Sequence, residues 1–181
     1  EGVKYNHPDL IDNMWVNVDE IPDNGIDDDK NGYVDDIHGW NFLSTTDYPK
    51  EIGWAAEGDK GHGTHVAGTV AAVNHNGIGV GGVAGGSGKG DGVKIMSCQV
   101  FSGNSSATVA SRAKAYEYAA NNGACILQCS FGLSGGMLTS DGAFDLSYGV
   151  EKVGLDYFFN YRQPYSPVDK NFAIFAAGND G

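Results

Sequence analysis

The chain has 181 residues, 41% of them hydrophobic and 11% aromatic, which excludes a disordered polypeptide and allows one domain with a real core. Its formal net charge of −12 argues against a nucleic-acid partner, because binding to the phosphate backbone requires a basic surface. No apolar run approaches the roughly 20 residues of a membrane helix, and no signal-peptide pattern is present.

The composition and the residue pattern of the sequence change near residue 59. Residues 1–58 are irregular, acidic and rich in Asn, Asp and Gly, whereas helical and strand-like patterns alternate over residues 59–181. Neither an internal repeat nor a linker divides the chain. We therefore expect a single domain over residues 1–181, with an irregular region followed by an α/β part.

The first regular elements follow residue 60. Residues 63–73, G-T-H-V-A-G-T-V-A-A-V, place apolar side chains at helical spacing with small residues between them, and so predict a helix that packs closely against a sheet. Residues 93–100 form a short apolar run that predicts a buried strand. Residues 106–123 predict the clearest helix, with Ser105 or Ser106 as its N-cap and Gly123 as its C-terminal stop.

Two further strands and one helix complete the pattern. A-C-I-L-Q-C-S-F-G, residues 124–132, predicts a strand that ends in a Ser-Phe-Gly turn, and a helix is expected between Asp141 and Phe159. The last segment, N-F-A-I-F-A-A-G-N-D-G, predicts a final strand. Continuous apolar runs between helices indicate a parallel sheet covered on both faces. Such sheets carry their chemistry at the carboxyl ends of the strands, here at residues 130–132 and 177–179.

Three cysteines, Cys98, Cys125 and Cys129, exclude a full disulfide framework, although one bond with one free thiol remains open. The simpler interpretation is that they are small apolar residues inside strands.

Two histidines, His62 and His65, stand three residues apart at the start of the first predicted helix. One interpretation is a zinc pair completed by Asp59 or His75, another is a structural pair, and the third is a general base. Zinc-binding helices favour a spacing of four together with a nearby Glu, and this helix has neither feature. Histidine also has a pKa suited to general-base catalysis, so this third interpretation stands beside the other two.

Four motifs occur in a characteristic order: H-P-D-L near the start, H-G-T-H-V-A-G-T-V-A-A, Q-C-S-F-G, and F-A-A-G-N-D-G at the end. Together they resemble the subtilisin-like serine proteases, the subtilases. The resemblance implies an α/β, three-layer subtilisin-like fold with a mostly parallel sheet. It further implies that the chain carries an incomplete part of that domain, without its first strand and its C-terminal half.

The resemblance assigns roles to the motif residues. His62 would be the catalytic base, with Gly61 and Gly63 keeping side-chain bulk away from the approaching substrate. Asn179 would donate a hydrogen bond to the oxyanion. Ser130, Phe131 and Gly132 would pair backbone to backbone with an extended peptide. Ala176, Ala177 and Gly178 would line a roomy pocket for a large apolar side chain. Phe131 is larger than the aliphatic residue common in subtilisins.

Two members of the Asp-His-Ser triad are missing from the sequence as given. The resemblance places the aspartate immediately before Glu1 and the serine in a G-T-S-like turn beyond Gly181. We therefore expect these 181 residues to be inactive alone. The absent first strand would lie between residues 93–100 and 124–129, and the remaining part of the domain or another copy of the chain would have to fill that gap.

The acidic segment D-N-G-I-D-D-D-K-N-G-Y-V-D-D, residues 23–36, spaces its oxygen atoms like an EF-hand calcium loop. The candidate ligands are Asp27, Asp29, Asn31, the backbone carbonyl of Tyr33, and Asp35. Gly32 takes the sharp turn, but His38 stands where an EF-hand has its bidentate Glu. A further oxygen is left to Asp36 or Asp23, and the alternative is a solvated acidic turn without an ion.

A second calcium site is implied by the resemblance alone. Subtilases bind a structural calcium in the loop after the catalytic helix, together with the aspartate of the H-P-D-L segment. The corresponding ligands here are Asp9, the Asn76 side chain, and the backbone carbonyls of Val73, Ile78 and Val80. The loop carries one extra residue, so Asn74 and Asn76 are interchangeable at this point.

The sequence therefore predicts a segment of a secreted, calcium-stabilised serine endopeptidase whose partner is a polypeptide substrate. An extracellular or cell-envelope location suits its calcium loops. The alternatives are a calcium-dependent binding module, a pseudoprotease that has lost its serine or aspartate, and a zinc hydrolase using His62 and His65.

Overall fold

The computed structural model describes residues 1–43, 52–54, 61–132, 141–161, 164 and 168–177, with the backbone alone for residues 141–147. The chain separates into two compact units, Glu1–Ala107 and Thr108–Gly181. The expected single domain stays a prediction. In the ranges given above, no helix combines the length and apolar character needed to cross a bilayer.

The described residues of the first unit form one α-helix, α1 (His62–Ala71), and a short 3-10 helix (Ile11–Asn13). They also form four short strands: β1 (Gly39–Asn41), β2 (Ser97–Gln99), β3 (Phe101–Ser102) and β4 (Ser105–Ser106). β1 and β2 are parallel, with Trp40 opposite Cys98. β3 and β4 form an antiparallel hairpin. The predicted strand over residues 93–100 is thus shorter than expected, although an isolated parallel bridge joins Ile95 to Met14.

Helix α1 confirms the helix predicted from apolar spacing. Ala67 and Ala71 are buried on its inner face, and Ala67 packs into a small core with Val3, Leu10 and Met14. The C-terminal end of α1 is fixed by a buried amide, because Asn13 Nδ2 donates to the carbonyl oxygens of Ala71 at 2.9 Å and Gly85 at 3.2 Å. A polar side chain this deeply buried requires such partners.

The second unit alternates helix and strand: α2 (Val109–Asn121), β5 (Ile126–Cys129), α3 (Asp141–Asn160) and β6 (Phe172–Phe175). β5 and β6 are parallel and in register from Ile126 opposite Phe172 to Cys129 opposite Phe175. Both strands and both helices were predicted, and the parallel pairing is that of an α/β fold. Leu127 and Cys129 alternate with exposed neighbours along β5.

The start of α2 differs from the prediction. Its N-cap is Thr108, whose Oγ1 accepts a hydrogen bond from the backbone N–H of Ser111 at 3.1 Å, which satisfies one amide of the first turn. Ser105 and Ser106 do not cap the helix, because they form β4. Gly123 follows the helix at a φ of 82°, so the predicted stop is confirmed.

Helices α2 and α3 pack closely where Gly154 faces Ala113. A Cβ atom at Gly154 would lie 2.7 Å from the Ala113 Cα, so only glycine allows this approach. Beside that contact, Arg112 and Glu151 form a two-pronged ion pair, with Nη2 to Oε2 at 2.8 Å and Nε to Oε1 at 3.0 Å. The Tyr116 hydroxyl donates to the same Oε1 at 2.8 Å.

This network changes the acidity of its members and of a nearby thiol. The hydrogen bonds to Glu151 raise the pKa of Arg112, and burial together with the Glu151 charge raises the pKa of Tyr116. Burial, and then the charge of Glu151, raises the pKa of Cys129 to about 12. Cys98, Cys125 and Cys129 are not joined by a disulfide bond. The possibility of one disulfide bond, which the sequence left open, is therefore not realised in the structure.

Candidate active site

His62 is the first residue of α1, and its side chain is 54% exposed. Its Nδ1 lies 3.9 Å from Oε2 of Glu1, a side chain that is only 18% exposed. The same Glu1 oxygen accepts a hydrogen bond from the backbone N–H of Gly63 at 3.1 Å. An imidazole that is open to solvent on one side and faces a carboxylate at Nδ1 is suited to accept a proton at Nε2.

The two glycines beside His62 have different physical roles. Gly61 adopts a φ of 74°, in the left-handed region that glycine enters at low cost, and a Cβ atom there would meet nothing within 4 Å. A Cβ atom at Gly63 would lie 2.6 Å from the Gly2 carbonyl oxygen and 2.8 Å from that of Glu1. Gly63 therefore allows the N-terminal segment of the chain to pass close to the helix. This role differs from the substrate access expected from the sequence.

The N-terminal segment is held against α1 by further hydrogen bonds. The backbone N–H of Lys4 donates to Thr64 Oγ1 at 3.0 Å, and that of Val3 donates to Ser97 Oγ at 3.1 Å. Glu1 is therefore tied to the helix through its neighbours in sequence as well as through its own carboxylate.

His65 is exposed on α1, and its backbone oxygen accepts from the Thr69 hydroxyl at 3.0 Å. Within the described residues, three ligand-type side chains converge at one place, and neither His62 nor His65 is among them. Asp59, a proposed third zinc ligand, lies outside the described residues.

The carboxyl ends of β5 and β6 lie side by side, as parallel pairing requires. The backbone N–H of Ala176 donates to the Cys129 carbonyl at 3.0 Å, so Ala176 and Ala177 continue next to Ser130 and its neighbours. Gln128 Nε2 donates to Ser130 Oγ at 2.9 Å. Gly132 is exposed, and a Cβ atom there would meet nothing within 4 Å. Gly178 and Asn179 lie outside the described residues.

An aromatic pair spans the same edge of the sheet. The rings of Phe131 and Phe175 meet edge to face, with centroids 6.4 Å apart and an interplanar angle of 85°. This arrangement is favoured by the charge distribution of aromatic rings. Phe131 is thus supported by β6, a contact that the sequence motif did not indicate.

The acidic loop gathers around a residue that sequence reasoning missed. Glu20 is 5% exposed, and ligand-type oxygens of Glu20, Asp27 and Asp29 lie within 4.8 Å of one another. Glu20 Oε1 accepts from the backbone N–H groups of Asp28 and Asp29, and Oε2 accepts from that of Asp35. In the sequence, Glu20 lies seven positions before Asp27 and outside the loop motif, so nothing except its charge indicated a possible ligand.

Asn31, Asp35 and Tyr33, the other predicted ligands of this loop, make separate contacts. Asn31 lies beside the cluster, with its Nδ2 donating to Asp29 at 2.9 Å and to Asp36 at 3.0 Å. The Asp35 carboxylate instead accepts from the backbone N–H groups of Asn24 and Gly25. The ring of Tyr33 contacts the aromatic rings of Trp40 and Phe42.

The second predicted loop also comes together. Asp9 is 3% exposed, and its carboxylate accepts from Asn76 Nδ2 at 2.8 Å and from the Val80 N–H at 2.9 Å. Asn76 Oδ1 accepts from the Ile78 N–H at 3.0 Å, and the Val73 N–H donates to the Asp9 carbonyl at 2.9 Å. Asn74 is occupied elsewhere, with its Nδ2 donating to the carbonyls of Gly82 and Gly86.

The parallel strand pairs β1–β2 and β5–β6, together with the helices, define an α/β protein, and an exposed histidine opens α1. The model of the subtilase family matches residues 1–181, and the chain belongs to that family. Among solved structures, the epidermin leader peptide processing serine protease from Staphylococcus aureus superposes with a TM-score of 0.51 at 23% identity. That superposition covers 99% of this chain and supports the fold.

Two curated relatives are similar to this chain over 72% of its length. Subtilisin-like protease 1 of Plasmodium vivax is 37% identical over 131 residues, which are 72% of this chain and 19% of that protein. Thermitase of Thermoactinomyces vulgaris is 28% identical over 131 residues, which are 72% of this chain and 34% of that protein. The chain thus spans at most about a third of these relatives, and 36% of the Staphylococcus aureus chain.

Proposed function

We propose that these residues form part of a secreted, calcium-stabilised serine endopeptidase that hydrolyses polypeptides with an Asp-His-Ser triad. His62 is the general base of this enzyme, Asn179 is its oxyanion donor, and the aspartate and serine lie outside the 181 residues. The main support is the position of His62, an exposed imidazole that opens α1 within the H-G-T-H motif of a chain that belongs to the subtilase family.

The proposed peptide-binding site lies at the edge of the sheet where β5 and β6 end. The backbone of Ser130, Phe131 and Gly132 supplies hydrogen-bonding groups for an extended substrate, and the open surface at Gly132 leaves room for its main chain. Ala176, Ala177 and Gly178 form one wall of the pocket for the side chain before the scissile bond. The Phe131–Phe175 ring pair supports a preference for apolar substrate residues next to it.

The protease hypothesis is tested with a serine-directed fluorophosphonate and a polypeptide substrate such as casein. The complete protein should be labelled and should hydrolyse casein, whereas the 181-residue chain should do neither. A complete protein that binds calcium without labelling or hydrolysis would instead be a binding module or pseudoprotease. Inhibition by a zinc chelator without fluorophosphonate labelling would identify a zinc hydrolase.

The acidic loop is suited to hold calcium. Glu20, Asp27 and Asp29 offer hard carboxylate oxygens. Glu20 Oε2 and both carboxylate oxygens of Asp27 each accept one backbone hydrogen bond and keep a second lone pair. Asn31 and the carbonyl of Tyr33 complete the proposed set, and Glu20 takes the place that the sequence gave to Asp35. Bound calcium would neutralise the mutual repulsion of these carboxylates.

The Asp9 loop fits calcium in part. Asn76 Nδ2 and the Val80 N–H both donate to the Asp9 carboxylate, which brings these three residues of the ligand set together. The Asn76 amide presents its nitrogen to Asp9, and a calcium ion requires its oxygen there. We propose that Asp9, Asn76 and the carbonyls of Val73, Ile78 and Val80 hold the second ion.

Removal of calcium is expected to lower the melting temperature of the protein. An ion present at 100 times its dissociation constant stabilises the folded state by about 2.7 kcal/mol, which corresponds to a shift of about 5–10 °C at this size. The measurement is a thermal melt followed by circular dichroism with calcium or with EGTA.

Two variants separate the acidic loop from general charge effects. Asp27→Asn should remove most of the calcium-dependent shift, whereas Asp19→Asn, at an exposed aspartate, should retain it. Equal melting temperatures with and without EGTA would contradict both calcium sites.

We also propose an extracellular or cell-envelope location, because calcium is abundant there and proteolysis is kept away from the cytoplasm. Fractionation of producing cells would place the protein in the medium or envelope. Recovery from the cytosol alone would contradict this location.

A further inference from the structure

Four asparagines of the chain are followed directly by glycine. The pairs are Asn24–Gly25, Asn31–Gly32, Asn76–Gly77 and Asn122–Gly123. In such a pair the glycine nitrogen can attack the side-chain carbonyl carbon of the asparagine, because glycine has no side chain to hinder the approach. The dipeptide gives all four pairs the same opportunity for this reaction, so a difference between them has to come from the fold.

In three of the pairs the glycine N–H is held by an acceptor. The Gly25 and Gly32 N–H groups each donate to an aspartate carboxylate at 2.9 Å, and the Gly123 N–H donates to a backbone carbonyl of α2 at 3.1 Å. The nitrogen must lose its proton as it forms the new bond, so each acceptor adds the loss of a hydrogen bond to the barrier. A carboxylate acceptor also repels the negative charge that develops on the nitrogen.

The Asn76–Gly77 pair lacks this protection. Gly77 is exposed, and its N–H has no acceptor among the residues that the structure describes. A Cβ atom at Gly77 would meet nothing within 4 Å, so the space beside it is open. Asn76 Oδ1 accepts from the Ile78 N–H at 3.0 Å, which stabilises the charge that an attack places on this oxygen. Asn24 and Asn31 accept in the same way, so the free N–H is the distinguishing feature.

We propose that Asn76 is a site of spontaneous covalent modification, at which the chain deamidates in preference to its three other Asn–Gly pairs. The Gly77 nitrogen bonds to the side-chain carbonyl carbon of Asn76 and gives up its proton, and the side-chain nitrogen leaves with that proton as ammonia. Water then opens the cyclic imide at either carbonyl, which yields aspartate or isoaspartate. The reaction needs water alone as co-reactant and does not depend on the proposed peptidase activity.

The modification changes the surroundings of a buried carboxylate. Asn76 Nδ2 donates to Asp9 Oδ1 at 2.8 Å, and Asp9 is 3% exposed. Both products carry a carboxylate in place of this donor, so the loop loses a hydrogen bond and gains a repulsion between two negative charges. In isoaspartate the main chain also runs through the former side chain, which lengthens the backbone at this point.

The four pairs are compared by ageing the complete protein at mildly alkaline pH, at a temperature where circular dichroism shows it to be folded. The fluorophosphonate prevents proteolysis, and EGTA ensures that no ion competes for the Asn76 oxygen. Peptide mapping by mass spectrometry follows the change from amide to acid, and an isoaspartate methyltransferase detects the second product. The Asn76 peptide should convert at least about fivefold faster than each of the other three, the rate equivalent of one hydrogen bond of about 1 kcal/mol.

The same protein in urea is the control for the sequence. Without the fold no glycine N–H is held, so the four rates should become similar. Asp35→Ala tests the cause within the fold, because it removes the acceptor of the Gly25 N–H. This variant should speed conversion at Asn24 about fivefold and leave the Asn76 rate unchanged.

Three results would overturn the proposal. The first is an Asn76 rate in the folded protein no higher than that of another pair. The second is a lead of Asn76 that persists in urea, because the sequence and not the fold would then be its cause. The third is an unchanged Asn24 rate in Asp35→Ala, which would show that the glycine N–H bond does not control the reaction.

Discussion

Replacing His62 with alanine is expected to lower kcat of the complete protease by at least about 10³-fold, because general-base catalysis is lost at the step in which the serine attacks. KM should change little, since the base acts in the transition state and not in substrate binding. The measurement is steady-state hydrolysis of a peptide substrate by a variant whose circular dichroism matches that of the unaltered enzyme.

His65→Ala is the matched control for this experiment. His65 lies three residues further along α1 and is also exposed, so its loss removes a comparable side chain without removing the proposed base. It should keep kcat within about threefold, as a surface substitution away from the reacting atoms does. Near-normal turnover by His62→Ala, or equal losses in both variants, would refute the assignment of the base.

The second large effect is expected at the ion pair between α2 and α3. Glu151→Ala leaves the Arg112 guanidinium without its two-pronged partner, and both side chains are nearly buried, 11% and 10% exposed. Removal of one member of a buried pair costs about 3–5 kcal/mol of unfolding free energy, mainly because the other charge stays desolvated. Tyr116 also loses the acceptor of its hydroxyl.

Urea unfolding measures this loss, and further variants assign its cause. Lys114→Ala, an exposed charge on α2, should change the unfolding free energy by less than about 0.5 kcal/mol. Tyr116→Phe should cost about 1 kcal/mol, the value of one hydrogen bond. Arg112→Met combined with Glu151→Leu should recover much of the loss, because two apolar side chains leave no unpaired charge. A Glu151→Ala variant as stable as Lys114→Ala would show that the pair contributes little.

The regular elements were predictable where the pattern is long enough to show its period. Helices α1, α2 and α3 and the strands β5 and β6 follow apolar runs or helical spacing. β1 was not predicted, because Gly39–Asn41 is too short to establish alternation and pairs with β2 across a long stretch of sequence. The β3–β4 hairpin has two residues in each strand, too few to show a period, and the sequence instead predicts a helix cap at its serines.

The candidate site was predictable from the sequence only where its residues form a recognisable motif. H-G-T-H placed His62 at the start of a helix, and the spacing of Asp27 and Asp29 suggested an acidic loop. The partners that act on them are distant in sequence: Glu1 lies 61 residues before His62, and Glu20 enters the acidic loop from outside its motif. The Arg112–Glu151 pair spans 39 residues between two helices. Only folding brings such groups together.

The attachment of α1 at its far end has a consequence for thermal inactivation. The Val73 N–H, two residues beyond the end of α1, donates to the Asp9 carbonyl, and Asn13 Nδ2 donates to the last helical carbonyl, that of Ala71. A ten-residue helix is a stiff rod about 15 Å long, so loosening at this anchor tilts its opposite tip, where His62 stands. On warming, His62 would then lose its catalytic orientation, and activity would fall before the molecule as a whole unfolds.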